Sequence, residues 1–318
     1  MAVKTTVHGA FPKPQPLLRA RWLYAEEEID ADLLQKAQHE ATAGFLGLQK
    51  ELGVTLRTDG QMDRDDMISF LADRVHGLQR GGLVRVLGNR YYRRPIVDDA
   101  LKSDEPLTVD AWQSANRDAG DTPLKAVLTG PYTLMHWSSN EHYPDRKSCA
   151  SGFADVICEE AGRLVAAGVR DLQIDEPAAG VYSGEIDCVL EGVRRVADAI
   201  GDDCRLWLQL AYGDYAELLQ RIGEVSIHGL SLEMANNRMA TLDVLSGLPG
   251  SLQIAAGVVD AQNEQIESVD TLVERAKKVA AITGEDRLWL APDAGLRYLS
   301  PDVATSKLRN LAAAAQAI

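Results

Sequence analysis

Residues 171–210 read DLQIDEPAAGVYSGEIDCVLEGVRRVADAIGDDCRLWLQL, and this stretch decides the fold. Residues 172–175 form a short apolar run closed by a turn, 186–200 carry apolar side chains at helical spacing, and 206–210 form a second short apolar run. A strand, an amphipathic helix and a second strand in succession make a β–α–β unit with parallel strands. The same alternation extends in both directions. Further strand candidates are 5–10, 54–59, 83–88, 124–129, 227–232, 252–258 and 288–292, and helical patterns run over 30–52, 148–167, 269–282 and 301–317. Gly53 follows the first helix as a plausible stop.

Repeated β–α units favour either an open doubly wound sheet or a closed barrel. The open form usually carries a Gly-rich phosphate turn, and neither G-x-G-x-x-G nor G-x-x-x-x-G-K-[ST] occurs. The first and last strand candidates lie near the two ends of the sequence, as closure requires. The expectation is therefore an α/β fold, one (β/α)8 TIM barrel spanning residues 1–318. The candidates exceed by one the eight staves of such a barrel, so 83–88 is expected to be accessory.

Of the 318 residues, 46% are hydrophobic and 25% charged, enough to build a large core. The formal net charge of −14 would repel nucleic acid and anionic membrane alike, so neither is expected as the main partner. There is no apolar run of about 18 residues, and the opening MAVKTTVHGAFPKP has no apolar signal region. A cytoplasmic protein is expected. Cys149, Cys158, Cys188 and Cys204 are widely spaced and read as reduced thiols, Cys158 as a structural one within a helix.

In a barrel, chemistry collects where strands end at the C-terminal face. Those positions hold Asp59 and Gln61, Asn89 and Arg90, Thr129, Asp175 and Glu176, Gln209 and Tyr212, Glu233, Asp260 and Asp293. An Asp after a strand often does no more than cap the next helix, but so many acids, amides and cations together point to a polar pocket. Asp175-Glu176-Pro177 is the sharpest feature. Pro177 fixes the turn, so one neighbouring carboxylate is aimed across the mouth for ammonium binding or proton transfer, the alternative being a buried acid that satisfies loop amides. Trp137, after a Gly-Pro turn, offers a stacking surface for a flat heterocycle or packs under a loop. His136 and His142 flank it without a third ligand nearby, and no metal site is expected there.

These motifs resemble the cobalamin-independent methionine synthase family, specifically its C-terminal catalytic barrel and short stand-alone homologues. The likeness runs from about Thr5 to the C-terminus through GAFP, ELGVTLRTDGQMDRDDM, GNRYYRRPI, LTGPYTLMHWS, LQIDEPA, LSLE, GVVDAQN with IES, and LWLAPDAGLRYLS. The resemblance implies methyl transfer from a folate, or from a corrinoid carrier protein, to a homocysteine thiolate held on zinc. It implies that Asp175 binds the substrate amino group, that Trp137 packs on the pterin, and that Arg90 contacts substrate. Two positions depart from it: the family's Ser in GSFP is Ala10, and its Glu in HGE is Gln61.

The larger departure concerns the metal. The family's His-x-Cys is Gln209-Leu210-Ala211 here, its Glu is kept as Glu233, and its last Cys is Ala294. Zinc with soft tetrahedral ligation is therefore not expected, and without it a thiol of pKa about 8.5 stays mostly protonated. Three readings remain open. One is an enzyme acting on a small one-carbon, sulfur-containing or amino-acid-like substrate without zinc, with Asp175, Glu176, Glu233 and Asp293 as its acids and Gln61, Arg90, Trp137, Gln209, Tyr212 and Asp260 binding the substrate. The second is a methyltransferase whose thiol is activated in another way. The third is a non-catalytic ligand-binding homologue.

Overall fold

The structure, a computed structural model, describes residues 3–85, 91–181 and 183–318. The strands are β1 (Lys4–Thr5), β2 (His76–Arg85), β3 (Tyr91–Lys102), β4 (Ala126–Thr129), β5 (Ser139–Asn140), β6 (Asp171–Asp175), β7 (Arg205–Leu210), β8 (Gly229–Glu233), β9 (Gln253–Val259) and β10 (Leu288–Pro292). The helices are α1 (Gln15–Ala25), α2 (Ala31–Glu51), α3 (Val109–Ala119), α4 (Pro131–His136), α5 (Arg146–Ala166), α6 (Ile186–Ile200), α7 (Ala216–Gln220), α8 (Leu242–Leu245), α9 (Val269–Thr283) and α10 (Pro301–Gln316).

Seven strands form a curled parallel sheet in the order β1-β10-β9-β8-β7-β6-β4. Its two outer strands are tied through one segment: Thr6 bridges Leu56 and Arg57 bridges Leu124, both in parallel sense. The Leu56 amide donates to the Thr5 carbonyl at 3.1 Å, and the Lys125 amide donates to the Arg57 carbonyl at 2.9 Å. The 54–59 candidate thus sits at the expected place between β1 and β4, reduced to these two bridges.

Alternation along the strands explains the layering. In β6, Leu172 and Ile174 are fully buried, whereas Gln173 and Asp175 take the opposite side of the pleat. The inner side has its own apolar plug of Leu56, Trp207, Ala255, Trp289 and Ala291. Trp207 lies where a Cβ on Gly229 would come within 2.5 Å of its ring, so the neighbouring strand needs glycine there.

The accessory candidate 83–88 behaves as expected in its described part. Residues 83–85 belong to β2, which pairs antiparallel with β3, and β3 adds β5, in a separate three-stranded sheet. β3 was not anticipated: YYRRPIVDDALK is mostly polar and interrupted by a proline. The helix over 15–25 was likewise missed, because it carries only a weak apolar stripe with Leu17 buried. The 30–52 pattern is α2, where the Asp30 side chain accepts from the Leu33 amide.

Candidate functional site

Register brings the expected residues together. Thr129 pairs with Asp175, Asp175 with Gln209, and Gln209 with Ser231 across four adjacent strands. Partners in parallel register point to the same side of a sheet, so this row lies on the sheet's inner side. A cavity of about 110 Å³ opens there, lined by Gln61, Trp137, Asp175, Gln209 and Tyr212 together with His8, Gly9, Ala10 and Ala294.

Two acids line this cavity, Asp66, which accepts from the amides of Ile68 and Ser69 at 2.7 and 2.6 Å, and Asp175. Burial pushes the Asp175 carboxyl up to about 6, against the opposing influence of a hydrogen bond from Gln173 and the charges of Lys125 and Arg64. Gly9, with φ of +38°, permits the crowding around it: a Cβ there would lie 3.0 Å from Gln61 Nε2 and 3.6 Å from Asp175 Oδ2. Gln61 itself is left-handed at φ 52°, held by its amide donating to Asp59 Oδ1 at 2.9 Å. Tyr212, left-handed at φ 75°, donates its amide to Glu233 Oε2 at 2.8 Å.

Aromatic side chains form one wall. Tyr92 and Trp137 have ring centroids 5.9 Å apart, and the Tyr92 hydroxyl donates to the Trp137 carbonyl at 2.5 Å. Tyr91, Arg297 and Tyr298 also line the cavity, with the Arg297 guanidinium stacked 5.1 Å over the Tyr298 ring.

Other expected acids lie outside the cavity lining. Glu176 accepts from the Tyr132 amide at 3.0 Å and from the Thr133 amide and hydroxyl at 2.7 and 2.5 Å. Burial nevertheless pushes it up to about 7. Its role in the fold is to pin the end of β6 to the start of α4, and Gly130 leaves the space, since a Cβ there would fall 2.1 Å from Glu176. Asp293 is fully buried and accepts from the amides of Met234, Ala235 and Asn236 at 2.8, 3.0 and 2.7 Å. Burial raises it well above the usual carboxylate range. Asp260 accepts from the Gln262 amide at 2.7 Å and from Asn263 Nδ2. Glu233 is buried behind Tyr212. Asn89 and Arg90 lie outside the described residues.

The positions where the resemblance places zinc donors carry other chemistry. Gln209 Nε2 donates to the Asp293 carbonyl at 3.2 Å, and Ala211 and Ala294 are buried methyl groups. Among the described residues, no three His, Cys, Asp or Glu side chains converge to hold a metal ion. All four thiols are pushed up to about 11 by burial, so none is a ready thiolate. Among the described residues, no helix is long and apolar enough to cross a membrane.

Sequence reasoning missed His8, Asp66, Tyr91, Tyr92, Arg297 and Tyr298 in the cavity lining, and Gln173 behind it. His8 sits at the base, and Gln173 lies beneath Asp175. The signal for these two was period-two alternation: Thr6 and His8, like Gln173 and Asp175, are polar residues two apart in apolar strands.

A curled parallel sheet with a polar row at its strand ends and a cavity above it defines an α/β protein of the kind that binds small molecules at the C-terminal ends of its strands. The chain belongs to the cobalamin-independent methionine synthase family: residues 3–317 match the description "Cobalamin-independent synthase, Catalytic domain". It is 32% identical over 305 residues to a methionine synthase of Saccharolobus solfataricus, covering 96% of this chain and 91% of that one. It is 30% identical over 314 residues to a methionine synthase of Pyrococcus furiosus, covering 99% and 92%. In fold it is similar to a B12-independent methionine synthase from Shewanella sp. W3-18-1 solved with selenomethionine, with a TM-score of 0.89, 23% identity, and coverage of 100% of this chain and 98% of that one. A vitamin-B12-independent methionine synthase homologue of Listeria monocytogenes gives a TM-score of 0.82 at 18% identity, covering 99% and 98%.

Proposed function

We propose that this protein is a single-domain (β/α)8 barrel enzyme that binds a small amino-acid-like substrate, sulfur-containing or carrying one-carbon units, through Asp175 and works without the family's zinc. The bridges at Leu56 and Arg57 support closure of the barrel, supplying the eighth stave between β1 and β4.

The observation that carries the reading is the donor set. A tetrahedral zinc site needs thiolate and imidazole ligands, and here two of the family's positions are alanines while the third, Gln209, is engaged with a backbone carbonyl. These residues do not fit zinc. What remains is a partly desolvated carboxylate, Asp175, flanked by the neutral amides of Gln61 and Gln209. Such a group binds an ammonium strongly, because charge attraction is less screened away from water. It also titrates near enough to neutrality to take or give a proton. The further acids Glu176, Glu233 and Asp293 would act from behind this surface, through the loops they hold.

A second reading is methyl transfer to a thiol such as homocysteine, from a folate or from a methyl-carrier protein, with the thiol activated otherwise than by zinc. The Tyr92–Trp137 wall favours it, since a flat heterocyclic donor would stack there. Calorimetric titration of L-methionine and L-homocysteine into chelator-treated protein tests the first reading. Binding should persist in the chelator and be lost in Asp175→Asn; binding that appears only on adding zinc would overturn it.

A further inference from the structure

Beneath Asp175 runs a line of buried side chains from β8, through the segment that follows β1, to β6. Ser231 on β8 lies 2.7 Å from His8 Nε2, His8 Nδ1 lies 3.2 Å from Gln173 Oε1, and Gln173 Nε2 donates to Asp175 Oδ1 at 2.6 Å. Ser231, His8 and Gln173 are 1%, 4% and 0% exposed, so water does not compete for these bonds.

The chemistry of each group sets the direction of the line. An ionised carboxylate only accepts, so Gln173 must turn its NH2 toward Asp175 and its carbonyl toward His8. Burial holds His8 far down, at about 3, so its ring is neutral and carries one N–H. That proton sits on Nδ1, facing the Gln173 carbonyl, and Nε2 accepts from the Ser231 hydroxyl. The Pro292 carbonyl and Lys125 also face the ring. Around Asp175 the charged groups are Lys125 at the foot of β4, Arg64, and the adjoining Glu176. Lys125 is itself buried, pushed down to about 7, and donates to Thr6 Oγ1 at 2.8 Å.

We propose that His8 is a positioning residue: by fixing the Gln173 amide it holds an N–H donor against Asp175, so that this acid meets its substrate as an oriented carboxylate. Without an N–H at position 8 the Gln173 carbonyl would be left buried and unpaired. The amide is then no longer held in place, and the loss of an aligned N–H donor at Asp175 Oδ1 withdraws support from the ionised form, which raises the carboxyl's midpoint. The functional consequence rests on Asp175 being the substrate-binding carboxylate; the hydrogen-bond line does not.

The test therefore reads Asp175 directly, without substrate. Carbon-13 NMR of Asp-labelled protein follows each carboxyl through a pH titration, and the signal missing from Asp175→Asn assigns the residue. His8→Leu should raise the Asp175 midpoint by at least about one pH unit. His8→Asn, whose side-chain NH2 overlays Nδ1, should return it to the wild-type value. Ser231→Ala, which leaves the ring in place, should move it by a smaller amount in the same direction and stands as the test if His8→Leu does not fold. An unchanged midpoint in His8→Leu, or in Ser231→Ala where that variant is the test, would overturn the proposal, as would an equal shift in His8→Leu and His8→Asn. Failure of L-methionine to bind, with the NMR shifts as expected, would count against the substrate assignment alone.

Discussion

The side-chain amide of Gln209 donates to the backbone carbonyl of Asp293 at 3.2 Å, joining the ends of β7 and β10. Both residues stand where the family resemblance places the metal: Gln209 takes the position of an imidazole donor, and Asp293 directly precedes Ala294, at the position of a thiolate. A hydrogen bond between strand ends thus occupies the space where a ligand set would converge. At these positions the cavity presents an amide and a methyl group in place of metal donors.

Restoring donors tests that correspondence. Gln209→His, Ala211→Cys and Ala294→Cys, with Glu233 kept, should produce a protein that binds one zinc through two thiolates, one imidazole and one carboxylate. Absorption spectroscopy at the zinc edge reads the ligand types. Methionine formation from homocysteine should remain slow even so, because Ala10 and Gln61 also line the cavity and small errors of position are costly in rate. A triple variant that takes up no zinc would show that these positions do not face one another.

Asp175 also makes stability depend on pH. Its folded value of about 6 exceeds the ordinary 3.8, so the folded state holds the extra proton between those values and gains stability on the acid side. That contribution is complete below about pH 4 and is lost as pH rises through 6, on the order of 3 kcal/mol. Urea unfolding at intervals from pH 4 to 7 should show a shallower fall for Asp175→Asn than for wild type. Parallel curves would mean that the carboxyl is not desolvated.

Ligand binding has the opposite sign. An ammonium needs the ionised form, so affinity for L-methionine should decline as pH falls below about 6. At pH 8, Asp175→Asn should weaken it by on the order of 2–5 kcal/mol, much of that the cost of an uncompensated buried charge. Isothermal titration at pH 5 and pH 8 separates the two effects, and equal affinity at both would argue that Asp175 serves only the loop.

Much of this arrangement was legible in the sequence, and the misses have physical causes. The parallel strands announced themselves through short apolar runs, and their ends named Gln61, Asp175, Gln209 and Tyr212. Glu176, Asp293 and Asp260 shared the same address, but an acid after a strand can turn into the cavity or back onto loop amides, and local sequence does not distinguish these. The difference lies in partners distant in the chain: Asp293 meets the amides of 234–236, and Glu176 meets the first turn of α4. β3 escaped because it is half solvated and bears Pro95, so its alternation is weak.

The aromatic wall makes a separable prediction. Trp137→Ala should reduce the affinity of a reduced pterin by about 0.5–1.5 kcal/mol beyond the loss of buried area, with L-methionine binding little changed. Quenching of tryptophan fluorescence by added pterin in wild type, absent in the variant, would place the heterocycle at this wall; equal affinity would assign Trp137 to packing beneath the loop.

The central claim, an enzyme of this family that has dispensed with zinc, is tested most directly by metal content. Protein purified without added metal, dialysed against a modest chelator and analysed by inductively coupled plasma mass spectrometry should contain well under one zinc per chain, and added zinc should bind only weakly. One tightly held zinc per chain, retained through the chelator, would contradict the account.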